Sequence, residues 1–142
     1  MRNPMDMRNA EGYVDLTAGI ALANVTREQR AKSYRPLVYI ASPFVGDNEK
    51  NIERACGYCR FAVRKGFIPL APHLLFSQFM RDDDEADQEL AGFMGFVLLT
   101  KCAELWVFGD VVTKDMSAEI ARAIHRGQPV RHFTDDCEEV PQ

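Results

Sequence analysis

Long apolar runs are missing from this chain. Its apolar stretches are short, such as residues 96–99, whereas a membrane-spanning helix needs about 20 consecutive apolar residues. The opening Met1-Arg2-Asn3-Pro4-Met5-Asp6 lacks the apolar segment of a secretory leader, so no signal and a cytoplasmic location are expected. No Gly-x-Gly-x-x-Gly and no Walker loop occurs, which argues against the standard dinucleotide and triphosphate sites. The 3 histidines, His73, His125 and His132, do not stand at metal-ligand spacing, and no metal site is expected. Basic excess is also lacking. Lys and Arg number 17 against 21 Asp and Glu, for a net charge of −4. A bulk DNA or RNA binder usually carries a basic face, so nucleic acid is not the expected partner. A small anionic ligand held by a few local groups remains compatible.

Cysteine is sparse, with Cys56, Cys59, Cys102 and Cys137. Reduced thiols are expected without a secretion signal. Cys56 and Cys59 form a C-x-x-C pair, but no second pair stands at zinc-ribbon spacing. Both fall on the apolar face of an expected helix, where free Cys behaves as a small buried hydrophobe. Core packing is therefore expected of them rather than metal or redox work.

What is present is globular. The chain has 142 residues, of which 46% are hydrophobic, 27% charged and 10% aromatic. One domain of this size buries roughly two thirds of its unfolded surface and folds without a staple. Residues 1–36 differ from the rest, being polar and weakly patterned. Within them residues 14–32 could form a helix with a ragged stripe of Leu16, Ile20, Ala23 and Val25. A mobile arm and a helix packed on a neighbouring subunit are equally compatible with this segment.

From residue 37 the pattern sharpens. Residues 37–41 read as a short strand stopped by Ser42-Pro43. Asp47 or Asn48 can cap a helix whose apolar stripe is Ile52, Ala55, Cys56, Cys59, Ala62 and Val63. Gly66 ends it, and residues 67–70 form a second strand stopped by Pro72. A loop with His73 and room for a short helix follows. Residues 82–85 open another helix with a stripe of Leu90, Phe93, Met94, Val97 and Leu98. Residues 104–108 are a third strand, and Thr113 begins a helix through Met116, Ile120, Ala123 and Ile124. Residues 129–133 are a last strand, and an acidic tail, 135–142, closes the chain. Strands alternating with helices predict a parallel sheet covered on both faces. The expected fold is a flavodoxin- or Rossmann-like three-layer α/β sandwich of four to five strands, over residues 37–134. Ligands bind such sheets beyond the carboxyl ends of the strands.

Three clusters fall at those ends: Tyr39 with Ser42, Pro43 and Phe44; His73; and Gly109-Asp110 followed by Thr113, Met116, Ser117 and Glu119. Glu119 lies in the first two turns of its helix, where the dipole favours a carboxylate able to act as a nucleophile. It could equally be a solvated glutamate. Thr113 is the expected N-cap, and the same hydroxyl and free amides can hold a phosphate. His73 could be an acid, a base, a ligand or a structural histidine. The run Asp82-Asp83-Asp84 reads as a solvated loop and helix cap from which one member could turn inward as a proton donor.

Taken in order, Tyr39-Ile40-Ala41-Ser42-Pro43-Phe44, Asn51 with Ala55, Gly66-Phe67-Ile68-Pro69 with Ala71-Pro72-His73, Glu104-Leu105-Trp106-Val107-Phe108-Gly109, and Met116 with Glu119-Ile120 resemble the nucleoside 2-deoxyribosyltransferase-like superfamily. The nearest resemblance is to its small bacterial and phage branch, over residues 37–133. The resemblance implies N-glycosidic bond chemistry on a nucleoside or nucleoside monophosphate. Glu119 matches the glutamate that attacks the anomeric carbon, Tyr39 the tyrosine that orients it, and Thr113 the hydroxyl that binds phosphate in nucleotide-hydrolysing relatives. Asp83 and Asp110 are the candidates for the acid that protonates the leaving base. No cofactor is implied, and a homo-oligomer, a dimer or larger, is.

Two positions depart from the pattern. Asp115 stands where many relatives have the glycine of Ser-x-Gly-Met, and Ala103 where many have Asp. An acid at 115 would repel a phosphate. The alternative reading is thus a non-catalytic module that binds a nucleotide or a nucleotide-derived signal. A third is a phage structural or inhibitory protein that docks through its amino-terminal arm.

Overall fold

The computed structural model describes residues 34–44, 46 and 48–141. The chain divides into Met1–Tyr34 and a compact unit, Arg35–Gln142. The helix expected over residues 14–32 lies outside the described residues. In the second unit the elements run β1 (Leu37–Ala41), α1 (Asn48–Arg64), β2 (Ile68–Leu70), α2 (Pro72–Phe76), α3 (Glu85–Leu99), β3 (Glu104–Phe108), α4 (Lys114–His125), β4 (Val130–Phe133) and β5 (Glu139–Val140).

The sheet order is β2-β1-β3-β4-β5. The first four strands are parallel, with Tyr39 opposite Leu105 and Ile40 opposite Trp106 in the central pair. The expected α/β sandwich is thus the observed fold. It gains an antiparallel edge strand, because β5 pairs with β4. This strand comes from the stretch read as an acidic tail. Arg131 on β4 holds it through a two-pronged contact with Glu139, both bonds 2.8 Å.

Alternation along β1 and β3 sorts side chains to two cores. Val38, Ile40, Trp106 and Phe108 face α1 and pack with Tyr58, Ala62 and Phe133. Tyr39, Ala41, Leu105 and Val107 face α3 and α4 and pack with Leu99, Met116 and Ala123. The first core is aromatic: Tyr58 stacks on Phe108 at 4.2 Å, and Trp106 meets Phe67 at 4.7 Å and Phe133 at 5.0 Å. The order reverses between β1 and β3, so their carboxyl ends border the crevice where such sheets take ligands.

Two expected helix faces are corrected. On α1 the buried side is Asn51, Ala55, Tyr58 and Ala62, while Cys56 is exposed and Cys59 only half-buried. The stripe rotates because Tyr58 can bury its ring and still donate its hydroxyl to Asp135 Oδ1 at 3.1 Å. Burial pushes the Cys59 thiol up to about 11. On α3 the buried residues are Gly95 and Leu99. Leu90, Phe93 and Val97, expected inside, are 50%, 65% and 42% exposed.

These assignments make opposite predictions for two side chains. Trp106 is fully buried against aromatic neighbours, so Trp106→Ala costs about 3–5 kcal/mol in urea unfolding. Cys56→Ala stays within about 0.5 kcal/mol of wild type, as a surface change does. A large loss at Cys56 would restore the rejected α1 stripe.

Candidate active site

The site is built where β1 and β3 end, under α2 and beside the start of α4. Thr113 caps α4, its hydroxyl accepting from the Met116 N–H at 3.2 Å. The helix then buries Met116, Glu119 and Ala123 on one side. This i, i+3, i+7 spacing faces the sheet. Glu119 therefore occupies an apolar slot and is only 5% exposed. The bland expectation of a solvated glutamate does not hold.

Three neighbours surround that carboxylate. Tyr39, from the middle of β1, is buried beside the Glu119 carboxylate. Its phenol is held well above its ordinary range, first by burial, then by the Glu119 charge. The Tyr39 hydroxyl has room because residue 95 of α3 is glycine: a Cβ there would lie 3.3 Å from it. His73, in α2, brings Nε2 to 3.8 Å from Glu119 Oε1. Its ring stacks on Phe44 with centroids 5.1 Å apart and 19° between planes. The second oxygen, Glu119 Oε2, is buried with no hydrogen-bond partner among the described residues. Such an orphan acceptor is uncommon in a native interior and marks a place where a ligand can supply the missing contact.

A second group meets at the end of β3. Gly109 ends β3 in the left-handed region, with φ of 95°. A Cβ there would stand 3.1 Å from Asp135 Oδ1 and 3.6 Å from Pro43, so glycine lets these three come together. Ser42 is buried between the two groups in sequence, at the end of β1. Sequence reasoning missed Asp135, Tyr58 and Gly95. Asp135 had no signal, because it sits in a stretch read as tail.

Other expected site residues lie differently. Met116 is fully buried in the core under Tyr39 and does not line an opening; its thioether is packing. Thr113 spends its hydroxyl on Met116 and its carbonyl on the Ser117 N–H at 2.9 Å, while Ser117 is exposed. Asp110 is exposed in the bend after β3. Asp83 is exposed in the loop before α3 and pairs with Arg81 through bonds of 3.2 Å. The structure does not bring it to Glu119. Asp84, its neighbour, caps α3 by accepting from Ala86 and Asp87.

No three His, Cys, Asp or Glu side chains form a metal-binding group among the described residues. None of the described helices is long and apolar enough to cross a membrane. An open cavity of about 510 Å³ lies elsewhere, at the β4–β5 edge between Arg131 and Val140. Its acid, Glu139, is taken by Arg131, so the orphan carboxylate is the stronger guide to chemistry.

Comparison with known proteins agrees with the fold. A family model described as a domain of unknown function (DUF7768) matches residues 36–133. No curated protein matches the sequence. Among solved structures, the 2-deoxyribosyltransferase of the psychrotolerant bacterium Bacillus psychrosaccharolyticus matches with a TM-score of 0.55 at 16% identity. The match covers 75% of this chain and 77% of that one. At this identity the likeness is one of fold.

The Tyr39 environment has a pH signature. Folding raises its ionisation above the unfolded value of 10.0, so its contribution is intact below pH 10 and lost as pH rises beyond it. From about pH 10 to 11 the wild type should lose about 1 kcal/mol more stability than Tyr39→Phe. Denaturant melts at both pH values measure the difference. Equal losses would show Tyr39 titrating normally in the fold.

Proposed function

The chain belongs to the DUF7768 family, and from that premise and the site above we propose that it cleaves or exchanges the N-glycosidic bond of a nucleoside or deoxynucleoside. One observation carries the reading: the Glu119 carboxylate is buried against Tyr39, with Oε2 unpartnered among the described residues. The fold likeness to a 2-deoxyribosyltransferase supports the same chemistry. The reaction would sit wholly within residues 37–134, in a cytoplasmic setting that suits four free thiols.

In this mechanism Oε2 attacks the anomeric carbon as the carbon–nitrogen bond breaks and its electron pair leaves with the base. The transition state resembles an oxocarbenium ion, which a nearby carboxylate stabilises before bonding to it. Tyr39 holds the carboxylate in place through its hydroxyl. The departing base takes a proton from water, and the water that later attacks the sugar carbon gives its own proton back to solvent. Water then attacks the same carbon, releasing Glu119 and giving hydrolysis; a second base in its place gives transfer. Phe44 and His73 form a flat wall beside the carboxylate, and Ser42, Pro43, Gly109 and Asp110 border the sugar.

Asp115 refines the substrate. It lies one turn before Glu119 on α4, in the first turn, and its charge reaches Tyr39. A phosphate entering over this helix start would meet that carboxylate, and the Thr113 hydroxyl is already engaged. A nucleoside is therefore favoured over its monophosphate. The alternative, a binding module without turnover, is favoured by one observation: Asp83, a candidate proton donor, is committed to Arg81 in solvent.

Chromatography of free base after incubation with nucleosides and their 5′-monophosphates tests these statements. Cleavage by the wild type with a loss of at least about 10³-fold in Glu119→Gln is the expected result. Full activity in that variant would end the nucleophile assignment, and tight binding without product would favour the module. Replacing Asp115 by Asn should narrow the preference for nucleoside over monophosphate by about 10-fold, equivalent to about 1.4 kcal/mol. An unchanged ratio would remove Asp115 from specificity.

A further inference from the structure

Cleavage and hydrolysis each move one proton, and the aspartates expected to handle them stand elsewhere. Asp83 pairs with Arg81 in solvent, and Asp110 is exposed in the bend after β3. His73 stands at the carboxylate instead. Its Nε2 is 3.8 Å from Glu119 Oε1, and among the described residues no other basic side chain lies within ion-pair distance of Glu119. That gap is too long for a direct hydrogen bond, so neither atom is saturated by the other. The two carboxylate oxygens are thus divided. Oε1 faces the imidazole, while Oε2 is buried with no partner among the described residues.

The imidazole is both held and wet. It belongs to α2, where Pro72 fills the first turn and the His73 carbonyl accepts from the Ser77 N–H at 3.2 Å. Its ring stacks on Phe44. Stacking covers a ring face and leaves both nitrogens at the edge. Water still reaches the side chain, which is 32% exposed against 7% for Glu119. Imidazole is also the side chain that ordinarily gives and takes a proton near neutral pH.

We propose that His73 is the general acid and base of the N-glycosidic reaction, both protons exchanged with water passing through Nε2. This rests on the N-glycosidic reading of the site and adds to it the group that assists the leaving base. In the first step Oε2 bonds to the anomeric carbon and the carbon–nitrogen bond breaks. The departing base keeps that electron pair and takes the Nε2 proton of the imidazolium, directly or across one water. A neutral base, a glycosyl ester on Glu119 and a neutral imidazole result. In the second step water bonds to the same carbon, the ester bond breaks, and Nε2 takes the proton that the water sheds. The carboxylate and the imidazolium are restored. The cycle consumes one water and no other reactant.

Methylation of the base tests this. A nucleoside methylated at N7 of a purine or N3 of cytosine, assayed in its cationic form, releases a neutral base with no proton supplied. The ratio kcat/KM reports the steps up to base release. His73→Gln should lose about 10²-fold in kcat/KM on the unmethylated nucleoside and less than about 3-fold on its methylated form. Both values come from one preparation, so a misfolded fraction cancels between them. Azide attacks without shedding a proton, so it should raise the kcat of this variant on the methylated nucleoside, where the water step has lost its base. Equal losses on the two substrates would make His73 a structural or binding residue and overturn the proposal. So would a loss below about 3-fold on the unmethylated one. Base release that depends on Glu119 but follows either of those patterns leaves the nucleophile standing and ends only the role of His73. A wild type that releases no base from either form ends this proposal together with the reading beneath it.

Discussion

A carboxylate oxygen shut inside the fold without a partner is the constraint around which the α3–α4 side of the sheet is arranged. Leaving a buried acceptor unmet costs about 1–3 kcal/mol, more when it is charged. The surroundings of Glu119 limit that cost and leave one oxygen open. Tyr39 lies against the carboxylate from β1, and His73 Nε2 stands 3.8 Å from its Oε1 from α2. Each demands something in turn. Tyr39 uses the space left by the glycine at 95, and His73 is backed by the Phe44 ring. Thr113 starts the helix at the point that turns Glu119 inward.

The two faces of the sheet divide this burden. The α1 face is a dense aromatic cluster of Tyr58, Phe61, Phe67, Trp106, Phe108 and Phe133, with Arg131 above Trp106 at 5.0 Å. Rings of this size bury the most area per residue, and that face can offset the polar group on the other. The α3–α4 face uses smaller residues, Ala41, Gly95 and Ala123, which leave space for two polar side chains. The aromatic packing and the buried carboxylate are thus placed on opposite sides of the same two strands.

The parallel core was legible because short apolar runs between helical stripes admit few other arrangements. The phase of α1 was not, since counting Cys as apolar and Tyr as neutral put Cys56 where Tyr58 belongs. Only the fold supplies the Asp135 that satisfies the Tyr58 hydroxyl. Strand β5 was hidden for a similar reason: two residues have no periodicity, and their pairing depends on Arg131. At the site, strand ends and resemblance pointed to Glu119, Tyr39, His73 and Phe44, which the fold brings together; the roles given to them are those of the proposed function. Met116 was misread as a ligand contact, since a residue beside a motif can equally be its foundation. Asp83 carries an acid's chemistry, but the loop gives it Arg81 instead of the cleft.

Helix α3 explains why its own stripe misled. Periodicity finds an apolar face by assuming that one exists, and this helix has two. The face with fewer large side chains lies against the core where the Tyr39 hydroxyl approaches the helix, and at Gly95 a Cβ would stand a tight 3.3 Å from that hydroxyl. Phe93, two residues away, then necessarily points outward. The exposure of Phe93 is thus a consequence of the polar site beneath it. A helix rotated to bury Phe93 would lift Gly95 from Tyr39 and set a side chain against its hydroxyl.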